Sequence, residues 1–264
     1  METSEMSVLE RLIKSLRENG ARVTLLKLMD RVKYETEHLN IQARLYVDGR
    51  FDRFYGVDTS GYVDVDNLDI SVNLKKVARP YTPTPVPTLR SMLRALAIDH
   101  SNYTFVDFGS GKGRPLLLAS EYPFKRIVGI EFSHHLHSIA QENFRRWNST
   151  RQKCFNIESV CIDARDFVLP DDPLVIFLFN PFQPPVTSRI VDNIGATRVN
   201  RPRPIKILTW GGYGNYEGEF MAMFARLGFS CREVYRRRPF SSVHVGYRGH
   251  LWESNDLDEG KHKG

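Results

Sequence analysis

The sequence predicts an α/β protein with a mostly parallel seven-stranded sheet. Apolar, β-branched runs alternate with helical patterns from residue 89 onward, which is typical of βαβ units. The first run breaks into closely spaced glycines and then opens a helix. The last two runs are joined by a link too short for a parallel crossover, so they form an antiparallel hairpin. We therefore expect a core at residues 89–253, a cap at 1–88 and a flexible tail at 254–264.

The first 88 residues differ from the core and predict a helical and irregular extension. Apolar residues recur at helical spacing over residues 6–18 and again over about 23–38, which predicts two amphipathic helices. Residues 46–80 are rich in turn formers, acids and aromatics, which indicates an ordered, irregular segment with a short strand near Ile70. Four prolines within residues 79–87 predict an extended connection into the core.

The first strand of the core ends in the most informative stretch of the chain. Residues 103–107 form an aromatic and β-branched run that ends in Asp107, and a loop then places glycine at every second position. Glycine allows positive φ and lets a ligand approach the backbone closely. The loop residues Gly109, Ser110, Gly111 and Gly113 are therefore candidate ligand contacts.

A second acid follows at the spacing that a nucleotide-binding βαβ unit requires. Glu131 ends the next predicted strand, about twenty residues beyond the first glycine, where such units place a carboxylate on ribose hydroxyls. The spacing of the loop favours one class of nucleotide over another. A dinucleotide fingerprint has a glycine or alanine where this chain has Arg114, so an NAD-dependent oxidoreductase is the less favoured alternative.

The remaining core follows the same alternation. Predicted helices begin near Leu89 and after Ser133, and further helices span about residues 185–196 and 216–227. The later strands are predicted at 157–162, 174–179, 205–210, 229–237 and 243–252.

The stretch from Val106 to Gly113 resembles the first motif of the class I S-adenosylmethionine-dependent methyltransferases. This resemblance implies a Rossmann-like sheet, S-adenosyl-L-methionine as cofactor and an enzyme that transfers methyl groups. It implies an acid after the third strand that faces the adenine, which Asp163 beside Ala164 fits, with Asp166 as the other candidate. The cofactor contacts that it implies are Asp107, Gly109, Ser110, Gly111, Gly113, Glu131, Phe132, Asp163, Ala164 and Asn180.

The end of the fourth strand carries the residues that face the substrate in that family. Asn180 and its neighbouring carbonyl can accept hydrogen bonds from an –NH2 group, and Phe182 can lie against a planar or cationic group. With Pro181 they are the candidate catalytic residues, and the motif is similar to that of methyltransferases acting on amine or amide nitrogen. The fuller family pattern has two prolines before the aromatic residue, whereas this chain has Pro184–Pro185 after it. The structural alternative is that Asn180 caps the following helix.

A further segment is similar to the non-SET histone-lysine methyltransferases. Residues 81–84, with sequence Tyr-Thr-Pro-Thr, precede the glycine loop and the Phe179–Phe182 motif in the same order as in that family. The similarity implies a lysine-like acceptor. The segment enters the core just before the helix that precedes the first strand, which places it beside the glycine loop, so Tyr81 and Thr84 are candidate contacts for the methionine carboxylate or the ribose of the cofactor. The alternative is that Tyr81 only packs against the core.

Length, charge and cysteine content limit the domain organisation, the partner and the location of the protein. A chain of 264 residues with net charge +6 fits one globular domain with an accessory piece, and mild basicity allows a nucleic-acid partner. The third hypothesis is therefore a nucleic-acid-binding module that uses a methyltransferase fold.

Three scattered cysteines and no metal-ligand spacing predict no metal site and a cytoplasmic location. No apolar run reaches the roughly 20 residues of a membrane span, so we expect no membrane partner. The methyl acceptor, whether protein, nucleic acid or small molecule, stays open.

Overall fold

The structure is a computed structural model that describes residues 16–17, 20–21, 24–25, 49–179, 182–211, 215–236 and 248–254. The chain divides into two compact units, Met1–Gly49 and Arg50–Gly264. The predicted helices at 6–18 and 23–38 lie almost entirely outside the described residues, as does the tail from residue 255. Residues 50–88, which precede the predicted core, belong to the second unit together with the sheet.

The second unit is built on a seven-stranded sheet, which confirms the predicted fold class. The strand order is β3-β2-β1-β4-β5-β7-β6. Strands β1 to β5 pair in parallel, and β7 is antiparallel to both β5 and β6. The strands are β1 Thr104–Phe108, β2 Arg126–Glu131, β3 Ile157–Cys161, β4 Leu174–Leu178, β5 Ile205–Gly211, β6 Phe229–Arg236 and β7 Arg248–Ser254.

Helices precede and connect these strands. Residues 50–55 are helical and lead into an irregular segment with a 3-10 turn at Val65–Asn67. A second 3-10 turn, His100–Asn102, precedes β1. The longer elements are α1 Val72–Lys75, α2 Val86–Arg94, α3 Arg114–Ala119, α4 His134–Arg146, α5 Pro184–Asn200 and α6 Asn215–Arg226.

Two local predictions are wrong. The residues around Ile70 form bends rather than a strand, because the Ser71 hydroxyl accepts a hydrogen bond from the Leu74 N–H and starts α1. The proline run is not extended throughout, because α2 begins at Val86 with Pro85 as its N-cap and Pro87 in its first turn. Proline fits there because the first N–H groups of a helix have no intrahelical partner.

Alternation along the central strands divides the core between the two faces of the sheet. In β1, Phe105 packs with the helices α2 and α3, whereas Val106 packs with α5. Every residue of β1 and β4 is buried, as central parallel strands require. This arrangement brings the carboxyl ends of β1, β2 and β4 to one edge of the sheet. Residues 50–85, which we call the strap, contact the loops at that edge.

Candidate functional site

The glycine loop folds tightly against the end of β2. Gly109, Gly111 and Gly113 have φ of 78°, 54° and 83°, the left-handed region that glycine adopts without strain. The N–H groups of Gly109 and Ser110 both donate to the Ile130 carbonyl, at 2.8 and 3.0 Å. Glycine is favoured at these three positions because the tight turn between β1 and α3 requires positive φ at each of them.

Glu131 ends β2 directly beside this loop. Its side chain is buried, with Oε2 accepting from the Gly111 N–H at 2.8 Å and Oε1 from the Ser133 N–H at 2.9 Å. Burial raises the pKa of Glu131 to about 7, although these backbone N–H groups favour the ionised form. An ionised carboxylate accepts about four hydrogen bonds, so Glu131 keeps capacity for a ligand.

Asp107 lies in β1, next to β2, and its carboxyl group is incompletely satisfied. It is 2% exposed, and its buried Oδ2 has no hydrogen-bond partner. Burial raises the pKa of Asp107 well above its ordinary value, and the charge of Glu131 adds to the shift. The Ser110 hydroxyl is likewise buried without a partner. Such orphaned polar atoms are costly, and they indicate a site that a ligand completes.

Lys112, the first cation of the loop, is directed to the strap. Its Nζ donates to Asp58 Oδ1 at 2.7 Å and to the Ser60 carbonyl at 3.0 Å. The Asn143 side chain of α4 fixes the same contact by donating to the carbonyls of both Asp58 and Lys112. Lys112 is therefore neutralised by the strap rather than by the acids of the crevice.

Arg114, the second cation, is fully buried and also bound by the strap. Its Nε donates to Thr59 Oγ1 at 2.7 Å, and its Nη2 lies 3.4 Å from Asp52 Oδ1. Within the described part of the chain, no cationic side chain forms an ion pair with Asp107 or Glu131. Sequence reasoning used Arg114 only to exclude a dinucleotide and missed these contacts, since nothing in the local pattern marks Asp52 and Thr59 as its partners.

Tyr81 and Thr84 both lie in the strap beside the glycine loop. The Tyr81 hydroxyl donates to the Thr59 carbonyl at 2.7 Å. The Tyr81 ring occupies the space next to Gly111, where an added Cβ would come within 2.3 Å of ring atom Cε2. Thr84 is 4% exposed, and its carbonyl accepts from Arg114 Nη1 at 3.4 Å. The ring of Tyr81 thus packs directly against the glycine loop at Gly111.

The predicted adenine-side residues follow β2 and β3. Asp163 lies just beyond β3, and Arg165 binds both its oxygens, with Nε–Oδ1 at 3.0 Å and Nη2–Oδ2 at 2.6 Å. Hydrogen bonding to Arg165 lowers the pKa of Asp163, so it is ionised at neutral pH. Ala164 is buried beside it. The Phe132 ring centroid lies 6.0 Å from that of Phe182.

The predicted catalytic motif is only partly described. Asn180 and Pro181 lie outside the described residues. Phe182 is buried, and its carbonyl accepts from Arg79 Nε at 3.4 Å. The backbone next to it pairs with the strap, since the Gln183 N–H donates to the Val77 carbonyl at 2.9 Å. The strap therefore contacts both the glycine loop and the segment that follows β4.

Comparison with known proteins gives likenesses among solved structures. No protein-family profile matches the chain, and no curated protein sequence matches it. A precorrin-6y C5,15-methyltransferase from Geobacter metallireducens is similar with a TM-score of 0.49 and 15% identity, over 74% of this chain and 98% of that one. A magnesium protoporphyrin IX methyltransferase from Synechocystis with bound S-adenosylmethionine gives 0.48 and 14%, over 64% and 79%. A precorrin-8W decarboxylase from Methanobacterium thermoautotrophicum gives 0.47 and 18%, over 66% and 91%. Likenesses at this level transfer no activity, so function has to follow from the chain's own residues.

Among the described residues, no helix has the length and apolar character to cross a membrane. No three histidine, cysteine, aspartate or glutamate side chains among them gather as ligands for a metal ion.

Proposed function

We propose that the chain is an S-adenosylmethionine-dependent methyltransferase that acts on an amine or amide nitrogen. The observation that carries the proposal is the pair of buried acids, Asp107 and Glu131, at the carboxyl ends of adjacent parallel strands. Ligands of open α/β sheets bind at this edge. Neither acid is paired with a cation among the described residues, and Asp107 has an orphaned oxygen.

The charges of the site favour a cationic cofactor over a dinucleotide. S-adenosylmethionine carries an ammonium and a sulfonium group, whereas NAD brings a negative pyrophosphate. The two cations of the loop, Lys112 and Arg114, are bound to Asp58 and Asp52 of the strap. A pyrophosphate would therefore face two buried carboxyl groups with no neutralising side chain, which is unfavourable in a low-dielectric site.

The residues present fit S-adenosylmethionine. Asp107 and the Ser110 hydroxyl offer unpartnered oxygens for its ammonium, and Glu131 has lone pairs left for the ribose hydroxyls. We assign the adenine to the side of Phe132, Asp163 and Ala164, beyond β2 and β3. We assign Tyr81 and Thr84, which border the glycine loop and the helix after it, to the same site. When bound, this cofactor supplies a methyl group on an electrophilic sulfonium.

The acceptor side follows β4. We assign Asn180 and Pro181 the alignment of an acceptor nitrogen, with the amide oxygen of Asn180 accepting a hydrogen bond from that nitrogen. The Phe182 ring is buried, with its centroid 6.0 Å from that of Phe132, and we assign it to the acceptor side because an aromatic face attracts a cationic group. A lysine-like nitrogen of a protein, or another macromolecular amine, fits these groups best.

Alignment and exclusion of water are the main contributions that this chain makes. A reactive methyl donor needs little acid–base help, so the protein holds the nucleophile in line and keeps the crevice dry. The strap contacts the glycine loop and the segment after β4, so it covers two sides of that crevice.

A labelled-methyl screen tests the proposal. The wild-type chain and Asn180→Ala are incubated with methyl-labelled S-adenosylmethionine and separate pools of protein, RNA, DNA and metabolites. We expect label on nitrogen of one pool, a strong loss of turnover in Asn180→Ala and cofactor affinity within a few fold of wild type. Label on oxygen or carbon would contradict the nitrogen assignment. Binding of NAD or of nucleic acid without any transfer would favour the oxidoreductase or the binding module.

A further inference from the structure

Arg114 has no role in the proposed chemistry, yet it is fully buried at the base of the glycine loop. We propose that Arg114 is a positioning residue: it locks the strap onto the loop, and the strap in turn holds the Gly111 N–H on Glu131. This inference rests on the proposed function only in assigning Glu131 to the ribose. The contacts themselves form a continuous chain from Arg114 to Glu131.

The first link joins Arg114 to the start of the strap. Its guanidinium contacts Thr59 Oγ1 and Asp52 and lies over the Phe51 ring, with Cζ 5.2 Å from the centroid. Asp52 is itself held rigidly, because its two oxygens accept from the Thr59 N–H, the Thr59 hydroxyl and the Ser60 N–H at 2.6 to 2.8 Å. A buried charge bound this way fixes the position of residue 59.

The second link runs from Thr59 to the loop through Tyr81. The Thr59 carbonyl accepts the Tyr81 hydroxyl, which orients the ring. The ring then lies against Gly111, with no room for a β-carbon between them. Backbone bonds between Val63 and Tyr81, at 2.9 and 3.2 Å, hold the two halves of the strap together. Movement of residue 59 therefore moves the ring and frees the loop.

The third link is the hydrogen bond from the Gly111 N–H to Glu131 Oε2 at 2.8 Å. This bond lowers the pKa of Glu131 and so opposes the effect of burial. The other groups that face Glu131 are Asp107 of β1, Asp69 of the strap and Cys161 of β3. None of these is a cation, so the backbone N–H groups of Ser133, Gly111 and Phe132 favour the ionised carboxylate, and the Gly111 N–H is the one that the glycine loop supplies.

Lysine cannot replace this arginine. The guanidinium reaches Thr59, Asp52 and the Thr84 carbonyl at once because its donors form a planar fork. An ammonium keeps the charge but presents its donors from a single point. Arg114→Lys should therefore keep the buried charge balanced and loosen the strap.

The test compares Arg114→Lys with Arg203→Lys. Arg203 is also a buried arginine whose donors bind several acceptors at once, but these are the carbonyls of Asp172, Thr197 and Pro170, which lie in neither the strap nor the glycine loop. Amide hydrogen exchange is followed in the ligand-free proteins for residues 57–84 and 109–113. Binding of S-adenosylhomocysteine is measured from pH 6 to 8.5.

We expect exchange of the strap and loop to rise about tenfold or more in Arg114→Lys and to stay unchanged in Arg203→Lys. The midpoint of the pH dependence of binding should move upward only in Arg114→Lys, because Glu131 loses an N–H donor. Unchanged exchange in Arg114→Lys, or an equal rise in both variants, would overturn the inference.

Two features keep the test decisive. If Arg114→Lys does not fold, Thr59→Val removes the hydroxyl that binds Arg114 and keeps the backbone carbonyl, and the same exchange pattern is expected of it. If wild type binds no S-adenosylhomocysteine, the proposed function fails, while exchange in the ligand-free protein still decides the role of Arg114.

Discussion

Buried acids are paired at one end of the sheet and unpaired at the other. Glu121 lies before the amino end of β2 with its side chain 1% exposed, and Arg90 and Arg151 both bind it. Asp107 and Glu131 lie at the carboxyl ends of β1 and β2, equally buried, with no cation on either among the described residues. The chain therefore has the means to neutralise a buried carboxylate and uses them for Asp52 of the strap, but not for the two acids that the strands carry at the carboxyl edge.

This difference supports the proposal that a ligand binds at the carboxyl end of the sheet. A paired acid such as Glu121 fixes the structure, and its partners need no addition. An unpaired buried carboxyl raises the free energy of the folded chain unless a ligand compensates it. Sites that store such a cost are characteristic of binding and catalysis. The nearby cations, Lys112 and Arg114, organise the strap and leave the two acids to the ligand.

The largest expected change in stability comes from neutralising the paired acid, Glu121. Glu121→Gln leaves Arg90 partly buried without its counter-charge, so we expect a loss of about 3 kcal/mol in the free energy of unfolding. This loss is at the low end of the range for a broken buried ion pair, because Arg151, the second partner of Glu121, is half exposed and stays hydrated without it. Urea unfolding measures the change. Affinity for S-adenosylhomocysteine should stay within a few fold, and a large loss of affinity with little loss of stability would reverse the assignment of the two ends.

Neutralising the unpaired acid Asp107 is expected to change stability less and in the opposite direction, as a gain. The pKa of Asp107 is raised in the folded state, so its contribution to stability is complete below the unfolded pKa near 4 and is lost as pH rises toward the folded pKa. Asn does not titrate. Asp107→Asn should therefore raise the melting temperature of the ligand-free protein by a few degrees at pH 8, and the gain should shrink toward pH 5. Thermal unfolding at both pH values measures this, and a destabilised variant at pH 8 would show that Asp107 already has a partner.

The sheet and the acids could be predicted from sequence because both depend on local patterns. Apolar runs fix the strands, and the distance from Gly109 to Glu131 fixes their joint position at the carboxyl edge. The same reasoning placed Tyr81 and Thr84 next to the glycine loop, where the structure has them. Their role as cofactor contacts stays a prediction.

The strap could not be predicted in the same way. Its contacts join residues 54 to 62 positions apart, such as Lys112 with Asp58 and Arg114 with Asp52. No periodicity marks such pairs, because each depends on the final path of an irregular segment. The same limitation applies to the start of α2 within the proline run, where proline is compatible with both an extended chain and a first helical turn.

Calorimetry of cofactor binding in two buffers of different ionisation enthalpy tests the central claim most directly. The pKa of Glu131 is about 7 in the ligand-free protein, so a ligand that needs the carboxylate should release protons at pH 7. We predict that S-adenosylmethionine and S-adenosylhomocysteine bind with proton release, that their affinity rises as pH increases from 6 to 8, and that Glu131→Gln reduces both the release and the rise. NAD should not bind. Binding of NAD, or binding of S-adenosylhomocysteine with no exchange of protons, would contradict the account.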